Sequence, residues 1–220
     1  MTQNKIIPEP RIAVIIPSYK VKSDISKVIA KVPPSISWII VVDDCCPENT
    51  GEYVQKHITD SRVSCIFHQE NTGVGGAMIS GYKQALSLGA DICIKIDGDG
   101  QMDPKLIPSF VTPIIINQAD YTKGNRFFFL DYLKGMPLYR KVFNLFSSFA
   151  SKFTCGYWDI FDTNNGYTAI HAKVLKRLPL DNISQRFFFE TDMLFQLNLV
   201  NAKVMDIPMQ ASYTNHKSNF

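Results

Sequence analysis

At 220 residues, 45% of them hydrophobic and 20% charged, the chain has the material for one sizeable core and the composition of an ordinary globular protein. Its 23 basic and 20 acidic residues leave a net charge of +3, too balanced for a general nucleic-acid binder, so no nucleic-acid partner is expected. No apolar run approaches the roughly 20 residues needed to cross a bilayer, and the polar stretch Met1–Arg11, with Pro8 and Pro10, reads neither as a signal peptide nor as an anchor. The cysteines Cys45, Cys46, Cys65, Cys93 and Cys155 have no Cys-x-x-Cys spacing. They read as reduced, small core residues of a cytoplasmic protein, and the adjacent pair Cys45-Cys46 is not expected to bridge.

In chain order, short apolar runs alternate with segments of helical period, the pattern of βαβ units that feed a mostly parallel sheet. Arg11–Ile16 reads as a strand that stops at Pro17, Lys22–Lys31 as a helix, and Trp38–Val42 as a strand ending at Asp43-Asp44. Glu48–His57 follows as a helix, Val63–Phe67 as a strand, Val74–Leu88 as a helix, and Asp91–Ile96 as a strand ending at Asp97. The second half carries strands at Ala119–Lys123, Asn165–His171 and Ala202–Pro208, with helices at Leu138–Phe153 and Glu190–Val200. Residues 1–220 thus read as one α/β domain, with 1–10 outside its packed body. The helix Leu138–Phe153 places Phe143, Phe146, Phe149 and Phe153 on one broad apolar face and Arg140, Lys141 and Lys152 outside it. That pattern suits an interfacial helix at a membrane surface, and equally a helix packed on the sheet.

Ligands of such sheets bind beyond the carboxyl ends of the strands. The sharpest local signal there is Asp97-Gly98-Asp99-Gly100-Gln101, directly after an apolar strand. Two carboxylates one residue apart can both reach a hard divalent cation, Mg²⁺ or Mn²⁺, and the glycines allow a sharp turn and a close ligand. The bland alternative is an Asp-Gly turn on the surface. Gly73, Gly75 and Gly76 do not match the dinucleotide-binding glycine fingerprint, so they suggest a cradle without direct phosphate contact. The scattered His57, His68, His171 and His216 suggest no zinc site.

The order of these motifs resembles the inverting glycosyltransferase family 2, with its GT-A fold, and in particular its polyprenyl-phosphate branch, similar to dolichyl-phosphate-mannose synthases. The resemblance runs from Ile12 to Phe220. It implies that Val14-Ile15-Ile16-Pro17-Ser18-Tyr19 borders the nucleobase, that the Asp43-Asp44 pair meets base or ribose, and that Gly75 lies near the nucleotide. Asp97, Asp99 and Gln101 match the branch's metal set, with Asp97 and Gly98 also beside the nucleotide. Arg126, in Lys123-Gly124-Asn125-Arg126-Phe127, and Arg140 resemble arginines that grip donor and acceptor phosphates. Asp162-Thr163-Asn164-Asn165-Gly166-Tyr167 resembles the branch's Asp-x-x-x-Gly-aromatic loop, and Lys217 lies in a small basic motif after the last strand.

The implied reaction takes a hexose from a UDP- or GDP-sugar to a lipid phosphate or to a glycan hydroxyl, at the cytoplasmic face of a membrane that the protein touches peripherally. An ionised lipid phosphate needs little help from a base, its second pKa being about 6. A hydroxyl acceptor needs a carboxylate, for which Glu190 and Asp192 are both candidates, and the sequence leaves open which of them faces the site. The rival readings are a nucleotidyltransferase, whose usual glycine-rich first loop is missing from Pro17-Ser18-Tyr19-Lys20, and a non-catalytic nucleotide-sugar binding module.

Overall fold

The computed structural model describes residues 9–128, 149, 152, 154–186 and 188–210. Within them β1 (Ile12–Ser18), β2 (Trp38–Asp43), β3 (Val63–Phe67), β4 (Ile92–Lys95), β5 (Tyr121–Asn125), β6 (Thr168–His171) and β7 (Val204–Pro208) form one sheet in the order β3-β2-β1-β4-β6-β5-β7. Only β6 runs against its neighbours β4 and β5; the other pairings are parallel. The mostly parallel α/β sheet read from the sequence is therefore the fold, and six strands deliver their carboxyl ends to one edge.

β1 and β2 are continuous Ile/Val runs because both faces are covered. Val14 and Ile16 turn to a core built with α1 (Ile25–Ala30) and α4 (Ile107–Ile115). Ala13 and Ile15 turn to the opposite core, with α3 (Gly73–Ser87) and α6 (Phe189–Leu199). The remaining helices are α2 (Thr50–His57), against β3, and the short α5 (Ala172–Leu175). At about 25 cal/mol per Å² of apolar surface, each fully buried Ile or Leu of these layers contributes about 1.5–3 kcal/mol.

Several boundaries differ from the sequence reading for identifiable reasons. β1 runs through Pro17 to Ser18 instead of stopping before it. Ser18 accepts from Asp44 N on the β2 side, so Pro17 faces the β4 side, where pairing has already ended at Ile15 and Lys95. A residue without an N–H is tolerated beyond the shared ladder. α4 was not foreseen at all: it carries proline at its first turn, where no N–H is needed, and Pro113 inside. Its Phe110 stacks on Tyr167 with ring centroids 4.0 Å apart.

Most of the Leu138–Phe153 segment lies outside the described residues. The two members of it that are described reverse the expected facing: Phe149 is 56% exposed and Lys152 is buried. The Lys152 ammonium donates to the Trp158 carbonyl at 2.6 Å and sits 3.7 Å above the Phe161 ring, which lets a lysine turn inward. Among the described residues no helix is long and apolar enough to cross a membrane; all five cysteines are free, but only Cys46, Cys93 and Cys155 lie in the core, whereas Cys65 is partly buried and Cys45 exposed.

Candidate functional site

The edge that collects the strand ends brings together most of the residues singled out from the sequence. Asp97 follows β4, and its carboxylate, about a third exposed, lies 3.1 Å from Lys95 Nζ. Asp99 accepts from Gln101 N at 3.0 Å, which closes the turn that Gly100 enters with φ +76°. Gly98 is buried, and a Cβ there would lie 2.9 Å from Val21 and 3.1 Å from Ile25. Burial, and after it the neighbouring Asp97 charge, push the Asp99 carboxyl above its ordinary value. A divalent cation would relieve that like-charge crowding, so the residues fit one. Among the described residues no three His, Cys, Asp or Glu side chains gather around a common point. The protein thus offers two carboxylates, and water and diphosphate oxygens would complete the shell, as Mg²⁺ sites prefer.

Behind Asp97 lies a charged cluster that the sequence reading missed. Lys95, 2% exposed, also reaches Glu190 Oε1 at 2.9 Å. Lys123 is fully buried and donates to the Asn165 carbonyl. Both lysines are register partners of Thr168, one on each side of β6. Burial alone would lower the Lys95 ammonium, but Asp97 and Glu190 outweigh it and hold it charged, above the usual lysine range. Lys123 has less help, and burial brings it down to about 8. Burial would raise Glu190, yet the two ammonium groups dominate and hold it below the usual carboxylate range. A lysine inside an apolar strand, as in Ile92-Cys93-Ile94-Lys95-Ile96, was the available signal, because lysine is almost never fully buried without a partner.

The two late carboxylates separate. Glu190 stands beside the Lys95–Asp97 pair, whereas Asp192 accepts from Ser184 N at 2.7 Å and from Gln196 Nε2 at 3.4 Å, tying α6 to the loop before it. That loop rests on the glycine-rich start of α3: a Cβ on Gly75 would lie 2.4 Å from the Ser184 carbonyl oxygen and 2.7 Å from that of Gln185, and Gly76 N donates to Gln185. Gly75 therefore serves close packing.

Asp43 and Asp44, expected at the nucleotide, are buried with inward partners. Asp43 accepts from Cys46 N at 2.7 Å and Gly51 N at 2.6 Å. Asp44 takes Thr72 N, the Thr72 hydroxyl and Gly73 N at the start of α3, and meets His68 Nδ1 at 2.8 Å. Both carboxylates satisfy orphan backbone donors, work for which Asp is suited. The half-buried Pro17 and the 38% exposed Tyr19 lie on the same edge.

Arg126 Nε and Nη2 grip Asp162 in a two-pronged pair at 2.7 and 2.8 Å, and Asp162 is fully buried. A guanidinium expected to face phosphates thus has a resident carboxylate partner. Arg140 and Lys217 lie outside the described residues, as does His216.

The family model for glycosyl transferase family 2 matches residues 13–179. A UDP-N-acetylglucosamine–dolichyl-phosphate N-acetylglucosaminyltransferase of Methanococcus voltae is 31% identical over 219 residues, covering 93% of this chain and 87% of the relative. An undecaprenyl-phosphate mannosyltransferase of Micrococcus luteus is 26% identical, over 90% of this chain and 82% of its own length. Among solved structures, glucosyl-3-phosphoglycerate synthase of Mycobacterium tuberculosis, in complex with Mn²⁺ and UDP, matches 95% of this chain and 74% of its own at a TM-score of 0.66 and 15% identity. Mannosyl-3-phosphoglycerate synthase of Rubrobacter xylanophilus gives the same TM-score at 16% identity, over 95% of this chain and 68% of its own. The fold is GT-A, and with most of its length matched by the family model the chain belongs to glycosyl transferase family 2 and is a glycosyltransferase.

Proposed function

We propose that the enzyme transfers a hexose, with inversion, from a UDP- or GDP-sugar to the phosphate of a polyprenyl phosphate, with Mg²⁺ or Mn²⁺ held by Asp97 and Asp99. The observation that carries this reading is the state of the two α6 carboxylates. A general base works best with a pKa near the operating pH. Glu190 is held low by two lysines, and Asp192 is turned to a backbone N–H and a glutamine. Both are engaged by protein partners, whereas a sugar hydroxyl would need one of them free to take its proton. A phosphate, with its second pKa about 6, arrives already ionised and needs no base. The names of the Methanococcus and Micrococcus relatives, both of which act on polyprenyl phosphates, support the same acceptor.

In this reading an acceptor phosphate oxygen attacks the anomeric carbon from the face opposite the nucleotide. A new C–O bond forms while the bond to the diphosphate oxygen breaks, and the nucleoside diphosphate leaves with the electron pair. The cation, when bound, supplies charge neutralisation on the leaving oxygens. Lys95 and Glu190 hold the Asp97 side of the site, and Tyr19 offers a ring for the base. A peripheral contact with the cytoplasmic face of a lipid bilayer is what a polyprenyl acceptor would require.

The test is transfer of radiolabelled sugar from UDP- and GDP-sugars, with Mn²⁺ or EDTA, to a short polyprenyl phosphate, the matching polyprenol and an oligosaccharide. Label is expected in the organic phase with the phosphate only, and only with metal. Transfer to the oligosaccharide and none to the phosphate would overturn the reading.

A further inference from the structure

We propose that Lys95 is a positioning residue that aims the Asp97 carboxylate at the cation, an inference that rests on the metal reading above. Lys95 closes β4, and Asp97 lies two residues beyond it, its carboxylate turned back to the lysine. The ammonium takes Asp97 Oδ1 at 3.1 Å and is itself anchored from α6 by Glu190 at 2.9 Å. The other oxygen is bracketed by Gly166: a Cβ there would lie 3.0 Å from Asp97 Oδ2 and 2.4 Å from Lys95 Nζ. Gly166 has no left-handed φ that would demand glycine. What a side chain at 166 would disturb is the pair.

The bland account, a buried lysine that only stabilises the core, explains less. A buried ion pair is a weak source of stability, since desolvation offsets the attraction. One end of this pair, however, is a partly exposed carboxylate at the strand exit, the group that would bind the ion. Groups that orient a metal ligand from behind typically change metal affinity 10–100-fold when removed.

The experiment measures Mn²⁺ binding to the full chain with UDP and, in a parallel series, GDP present, by water-proton relaxation enhancement, which reports the protein-bound ion. Wild type, Asp99→Ala, Lys95→Met and Gly166→Ala are compared at a temperature where near-UV circular dichroism shows each folded. Lys95→Met removes the charge; Gly166→Ala keeps every charge and displaces the pair. Both are expected to bind Mn²⁺ roughly 10–100-fold more weakly per folded molecule, a readout that a purely stabilising role would leave unmoved. Wild-type affinity in folded Lys95→Met overturns the proposal while leaving the metal reading intact. If Lys95→Met does not fold, Gly166→Ala decides, and wild-type affinity there overturns it. Absence of metal-dependent enhancement in the wild type with either nucleotide removes the metal reading and this proposal with it.

Discussion

Replacing Glu190 by glutamine separates a buried counterion from a catalytic base, because the two roles predict opposite balances between stability and turnover. Glu190 Oε1 lies 2.9 Å from Lys95 Nζ, with only 15% of its side chain exposed. At that distance two unit charges attract by about 6 kcal/mol at an effective dielectric of about 20. Asp97 still holds Lys95 in the variant, and Lys123, already brought down to about 8 by burial, can lose its proton more easily. The expected net loss is therefore about 3–5 kcal/mol, the usual result of removing one partner of a buried pair. Urea denaturation at pH 7 measures it. Because Glu190's folded value lies below its ordinary 4.5, its contribution is fully present above that pH and fades as pH falls through the lower folded value. The gap between wild type and Glu190→Gln should accordingly close in acid. Turnover of the folded variant should fall by less than about 100-fold, and its pH profile should keep its shape. A variant within about 1 kcal/mol of wild type that loses 10³-fold or more in kcat, together with the acid limb of its profile, would refute the counterion role.

If the acceptor is a phosphate, kcat/KM for that acceptor should rise with pH through about 6 and then level off, as steady-state rates between pH 5 and 8 will register. Gly75→Ala puts a methyl group 2.4 Å from the Ser184 carbonyl oxygen and should cost about 1–3 kcal/mol in thermal melts, because the obstacle is backbone. Asp206 is pushed up to about 6, chiefly by burial, and its Oδ1 is buried without a partner. A raised carboxyl holds its proton more tightly when folded, so its penalty grows as pH rises from about 4 to about 6. Asp206→Asn should therefore gain about 1–3 kcal/mol on wild type at pH 8 relative to pH 4, read from paired denaturation curves.

The βαβ half of the fold was legible because its strands are Ile/Val runs covered on both faces and its helices carry a 3.6-residue period, signals written in consecutive residues. β3 matches residue for residue, and α3 is displaced by one. The metal-binding candidates were legible for the same reason: Asp97, Gly98, Asp99 and Gln101 lie within five positions at the end of a visible strand. α4 was hidden by its prolines: Pro108 stands at a first turn, where its missing N–H matters little, and Pro113 lies inside the helix.

Residue order alone therefore determined the α/β class, the sheet edge that collects the strand ends, and the family resemblance that the comparisons bear out. Tertiary structure decided which carboxylate stands beside Asp97, that Asp43, Asp44 and Asp192 turn inward, and that Arg126 pairs with Asp162. It also decided that Lys95 and Lys123 flank Thr168 across an antiparallel strand. These outcomes depend on contacts between residues tens of positions apart, such as Lys95 with Glu190 and Arg126 with Asp162. A charged side chain's role follows from the partners burial brings to it, and no local pattern records them.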